Sequence, residues 1–138
     1  MDILERYVTI DNKCAWPNLT LMPDGSIVVT IFGEPCHQLW EGSSECWISR
    51  DGGKLWSFLS EPAHHEPRRT RGDLAAGLTP AGALVVLCSG RKYAPRRGEQ
   101  LDRPRAEDEK GNQEAVVCRS EDGCASWTVS EGQFNYPP

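Results

Sequence analysis

The sequence predicts an all-β chain made of two four-stranded antiparallel units, and three observations carry that prediction. The stretch LMPDGSIVVTI (Leu21 to Ile31) returns 57 positions later as LTPAGALVVLC (Leu78 to Cys88), and SRDGGKLW (Ser49 to Trp56) returns 71 positions later as SEDGCASW (Ser120 to Trp127). Short runs of β-branched, aromatic or alternating apolar residues lie between clusters of turn residues. No segment keeps a helical apolar period over a useful length.

The elements follow in order. The first unit, spanning about 14–60, has strands expected at about 16–22, 26–32, 45–50 and 55–60. The second, spanning about 71–130, has them at about 73–79, 83–89, 114–120 and 126–130. PDG and PAG make the first turn of each unit, because proline presets φ and glycine accepts a positive φ. The two offsets differ by 71 − 57 = 14 residues, which must be inserted between the second and third strands of the second unit. They fall in the charged, proline-containing stretch from Arg91 to Asn112, expected to be a long surface loop.

A four-stranded antiparallel unit repeated along a chain is the pattern of a β-propeller, in which each blade has a face that its neighbour covers. Two blades do not close a ring, so the sequence is read as part of a larger propeller or as a reduced form that self-associates through its open blade edges. On that reading, strand residues such as Val28, Val85 and Val116 are expected to be incompletely covered.

Composition narrows the classes. With 138 residues and 38% hydrophobic content the chain fits one domain, and no apolar run reaches transmembrane length. A net charge of −5 argues against general nucleic-acid binding, and no membrane partner is expected. The N-terminal MDILERYVTID lacks the basic and apolar regions of a secretory signal, which favours the cytoplasm. The six cysteines contain no C-x-x-C pair and read as reduced, partly buried thiols. Neither PCH with Cys46 nor HHE has zinc-site spacing, so no metal and no cofactor is expected.

The repeated SRDGGKLW resembles the Asp box, S-x-D-x-G-x-x-W, of the bacterial neuraminidase repeats in sialidases and their relatives. The first copy supplies Ser49, Asp51, Gly53 and Trp56, and the second supplies Ser120, Asp122 and Trp127 with Cys124 at the glycine position. The resemblance covers about Trp16 to Val129 and implies a sialidase-like propeller, with six blades in a full-length relative. It also implies that the boxes are architectural and lie on the rim opposite the active site. Physically, Asp51 can accept hydrogen bonds from turn N–H groups, while Trp56 covers a blade edge.

Function is therefore sought at the other end of the blades, where the connections Gly33 to Ser44, Glu61 to Gly72 and Arg91 to Asn112 gather. They hold all three histidines and ten of the fifteen basic residues. Candidate substrate-binding residues are His37, His65, Arg71 and Arg91, and candidate catalytic acids are Glu41 and Glu66. A guanidinium can hold a carboxylate with two hydrogen bonds, which suits a terminal acidic sugar. A solvated loop of mixed charge is the competing reading for Arg96 to Lys110. The resemblance implies a glycoside hydrolase related to exo-alpha-sialidases. The sequence departs from that family at Ala15, where sialidases carry an arginine two residues before a proline. A noncatalytic propeller module that binds glycan or protein, and an inactive truncated product, remain open beside the enzyme.

Overall fold

The computed structural model describes residues 8–37, 39–94, 104 and 108–132. They form eight strands: β1 (Cys14–Leu21), β2 (Ile27–Phe32), β3 (Ser44–Ser49), β4 (Ser57–Ala63), β5 (Asp73–Leu78), β6 (Leu84–Tyr93), β7 (Glu109–Ser120) and β8 (Thr128–Glu131). Two four-stranded antiparallel sheets result, one in the order β1-β2-β3-β4 and the other β5-β6-β7-β8. Each is a meander, because its neighbouring strands are consecutive along the chain and antiparallel. The stretch from Arg91 to Asn112 differs from the expected loop at both ends. Arg91 pairs with Asn112 and Tyr93 with Glu109, so β6 and β7 extend into it. Cross-strand ion pairs, Arg91 to Glu109 at 2.9 Å and Lys92 to Glu114, replace the apolar alternation by which strands are recognised.

The ladders repeat in register. In the first sheet Leu19, Val29, Trp47 and Phe58 lie side by side, and in the second the matching row is Ala76, Val86, Cys118 and Val129. One residue further along, Thr20, Val28, Ile48 and Ser57 match Gly77, Val85, Arg119 and Thr128. Adjacent residues on a strand point to opposite faces, so these rows mark the two faces of each sheet.

The core shows which faces meet. Val28, Cys46 and Ile48 of the first sheet pack with Leu84, Val86, Cys88, Val116 and Cys118 of the second. The Val28 face of the first sheet thus meets the Val86 face of the second, and Val86 is the equivalent of Val29, not of Val28. The sheets are therefore stacked head to tail, unlike a sandwich that joins two like faces. Val28 and Val116, expected to be incompletely covered, lie in this interface and are buried, whereas Val85 on the far face is half-buried. Polar contacts cross the interface as well: Trp127 Nε1 donates to Ser60 Oγ at 2.8 Å, and Asn18 Nδ2 donates to the Leu74 carbonyl.

The two box turns share their hydrogen bonds. Asp51 Oδ1 accepts from the Ser49 hydroxyl (2.8 Å) and from the Lys54 and Leu55 N–H groups (both 3.0 Å), while Gly53 N–H donates to Ser49 Oγ. Asp122 Oδ1 accepts from the Ser120 hydroxyl and from the Ala125 and Ser126 N–H groups, with Cys124 N–H donating to Ser120 Oγ. Gly53 sits at φ 92° and Cys124 at φ 72°. A cysteine in this left-handed region is strained, but its side chain is fully buried in the core between the sheets. Burial holds in place a backbone shape that glycine adopts freely.

Candidate functional site

The antiparallel order sets the box turns at one end of both sheets, and the connections 33–43 and 64–72 and the far ends of β6 and β7 at the other. There the segment 66–72 runs between the two sheets. Gly42 bridges to Thr70, and Arg69 bridges to Lys92. Thr70 N–H donates to the Arg91 carbonyl (3.0 Å), Arg71 N–H to the Gly42 carbonyl (2.8 Å) and Tyr93 N–H to the Arg68 carbonyl (3.0 Å). Glycine allows this close approach, since a Cβ on Gly90 would lie 2.1 Å from the Thr70 carbonyl oxygen.

Beside this segment opens a cleft of about 160 Å³ lined by Trp16, Phe32, His37, Thr70, Gly72, Asp73, Arg91 and Tyr93. Trp16 stands at its mouth. It is 56% exposed, has φ 48° and lies where the β1–β2 register shifts between Cys14 and Asn18. A bulge re-aims a side chain, and here it projects the indole edge-on to the His37 ring at 4.7 Å between centroids. Phe32 and Tyr93 are buried, and Tyr93 packs against Trp40. Burial, with the Glu109 carboxylate nearby, pushes the Tyr93 phenol above its ordinary pKa. Arg91 Nη1 donates to Glu109 (2.9 Å) and to Asn112 (2.6 Å), and its side chain remains 45% exposed. A larger, flatter hollow of about 530 Å³ adjoins the cleft through Trp16 and Asp73 and runs over Ala75 and Leu87.

Of the six residues expected to share one concavity, the structure brings only His37 and Arg91 into the cleft. Arg71 points away from it. Its strand-like neighbours Thr70 and Gly72 line the cleft, so alternation turns Arg71 to the opposite side. There it is buried, with Nη1 donating to the Glu114 carbonyl (2.6 Å), Nη2 3.7 Å from Glu66, and Nε unpaired among the described residues. Glu66 also pairs with Arg69 at 3.1 Å. Glu41 accepts from the Arg68 N–H (2.9 Å) and lies 3.8 Å from His65, whose Nδ1 contacts Ser43 Oγ. Both glutamates thus make contacts within the segment's own scaffold.

Trp16, Thr70 and Asp73 line the cleft without having been singled out from sequence. A tryptophan directly before a proline was the one available signal, because that residue is restricted away from the helical region, although its φ of 48° is not the extended backbone this favours. Asp73 was visible only as the end of an RGD string at a strand start. Chemically, the cleft offers an aromatic face, a carboxylate, an imidazole and a guanidinium around a hydroxyl. No cluster of three or more His, Cys, Asp or Glu residues that could hold a metal ion occurs among the described residues. Nor is any helix among them long and apolar enough to cross a membrane.

No protein-family model matches the chain, and no curated protein matches it significantly.

Proposed function

We propose that this chain forms part of a sialidase-like Asp-box propeller and that the cleft between Trp16 and Arg91 binds a terminal, acidic sugar. The observation that carries this reading is the pairing of an exposed indole with a guanidinium across one small cleft. An indole face can stack on the apolar side of a pyranose, Arg91 can exchange its partners for a sugar carboxylate, and Asp73 can accept hydrogen bonds from sugar hydroxyls. Binding is favoured over hydrolysis because Glu41 and Glu66 are engaged by Arg68, His65, Arg69 and Arg71. Glycoside hydrolysis requires carboxyl groups free to face the scissile bond, and among the described residues Asp73 is the one carboxylate lining this cleft. A reducing, cytoplasmic setting suits its six free thiols.

Titration of the isotope-labelled chain with the methyl glycoside of N-acetylneuraminic acid, followed by amide and indole NMR, tests the reading. Shifts should centre on Trp16, His37, Thr70 and Asp73, and the neutral galactoside should bind more weakly. Trp16→Ala and Arg91→Ala should each weaken binding about tenfold, worth about 1.4 kcal/mol, while Glu66→Gln leaves it unchanged. Shifts elsewhere, or equal affinity for the neutral sugar, would sink the assignment. Release of a fluorescent aglycone from the matching glycoside would favour the hydrolase.

A further inference from the structure

We propose that the chain associates head to tail with a second copy of itself, through the two outer sheet faces and not through its strand edges. The basis is the interface already inside the molecule. Within the chain, the Val28 face of the first sheet receives the Val86 face of the second. The register match makes the Val86 face the counterpart of the first sheet's Val29 face, which lies away from the internal interface; Val29 itself is buried there, with Leu19 and Phe58 exposed in the same row. Likewise the Val28 face is the counterpart of the second sheet's Val85 face, which also lies away from that interface. The outward pair is thus a repeat of the buried pair.

Both outer faces have the composition this requires. On the first sheet, Leu19 (63% exposed), Leu21 and Phe58 (50%) flank Trp47, whose ring packs edge-on against Phe58 at 5.7 Å. On the second, Leu87 and Val117 lie beside Ala75 in one ladder row, and the hollow of about 530 Å³ runs over Ala75 and Leu87. Large contiguous apolar surfaces of this kind mark association sites. The box tryptophans repeat the asymmetry. Trp127 donates across the internal interface to Ser60, whereas its counterpart Trp56 donates to the Gly53 carbonyl of its own turn (2.9 Å). An interface joining two different faces is heterologous, so copies add in one direction until a ring closes.

Sedimentation of the whole chain from about 1 µM to about 1 mM should show concentration-dependent growth. Two variants test the faces, each changing residues already exposed enough to leave the fold intact, as near-UV circular dichroism will verify. Leu19→Lys with Phe58→Lys alters the first face, and Leu87→Lys alters the second. Each variant alone should remain monomeric, with its dissociation constant raised about tenfold or more. Mixing them should restore a one-to-one dimer that grows no further, because one intact face of each kind remains. A wild-type monomer throughout, loss of association from only one variant, or a mixture that stays monomeric would each overturn the proposal. None of these outcomes depends on sugar binding.

Discussion

Val28 and Val85 hold the same position in the two ladders, yet replacing each by alanine should have different consequences. Val28 is fully buried between the sheets, whereas Val85 is half-buried on the outer face. Val28→Ala removes two methyl-sized groups at about 0.8 kcal/mol each and leaves a cavity between two close-packed sheets, for a loss of about 2 kcal/mol or somewhat more. Val85→Ala forfeits only part of that transfer energy and creates no enclosed void, so its loss stays below about 1 kcal/mol. Urea unfolding measures the difference. With a slope of about 2 kcal/mol per molar, the midpoint should fall by about 1 M for Val28→Ala and by less than about 0.5 M for Val85→Ala. The measurement belongs at the lowest workable protein concentration, so that a second copy does not cover Val85. Equal losses, or a larger loss at Val85, would refute head-to-tail stacking of the sheets.

Three further outcomes are expected. Gly90→Ala should cost about 3 kcal/mol, because its Cβ meets the Thr70 backbone carbonyl at 2.1 Å, while Gly77→Ala, with nothing within 4 Å, should be near neutral in the same unfolding assay. The Ser126 hydroxyl and N–H, with the Ser120 hydroxyl, hold the Asp122 carboxyl down to about 2. A depressed carboxyl stabilises the fold above its unfolded value of about 4 and loses that contribution as the pH falls through its folded value. The unfolding midpoint should therefore drop between about pH 4 and pH 2, less steeply in Asp122→Asn. Finally, a thiol reagent should label Cys14 and Cys36 rapidly in the native protein, and the buried Cys46, Cys88, Cys118 and Cys124 only on unfolding. Contact with Cys124 raises the Cys46 pKa and contact with Cys88 raises that of Cys118, with burial adding to both, so equal labelling of all six would contradict the buried core.

The sequence by itself determined the eight strands, their grouping into two four-stranded antiparallel units and the setting of the two box turns. These are local properties: hairpin turns, alternation over a few residues, and a serine and an aspartate that satisfy N–H groups within five positions. It also located the polar end, since the parity of connections in a meander fixes which loops emerge together. Tertiary structure alone decided the rest. That β6 and β7 continue through Tyr93 and Glu109 depends on cross-strand ion pairs whose partners lie 18 to 22 residues apart, and composition reads such charges as loop. That Arg71 is buried while Arg91 faces the cleft follows from the way segment 66–72 threads between Gly42 and Arg91, which alternates its side chains between two environments. That Trp16 completes the cleft depends on a bulge with a left-handed residue, and no local propensity encodes it. Finally, the repeat specified two equivalent sheets, but which face of one meets which face of the other was settled only by packing, where burial of Val28 against Val86 places their counterparts Val85 and Val29 on the faces away from that interface.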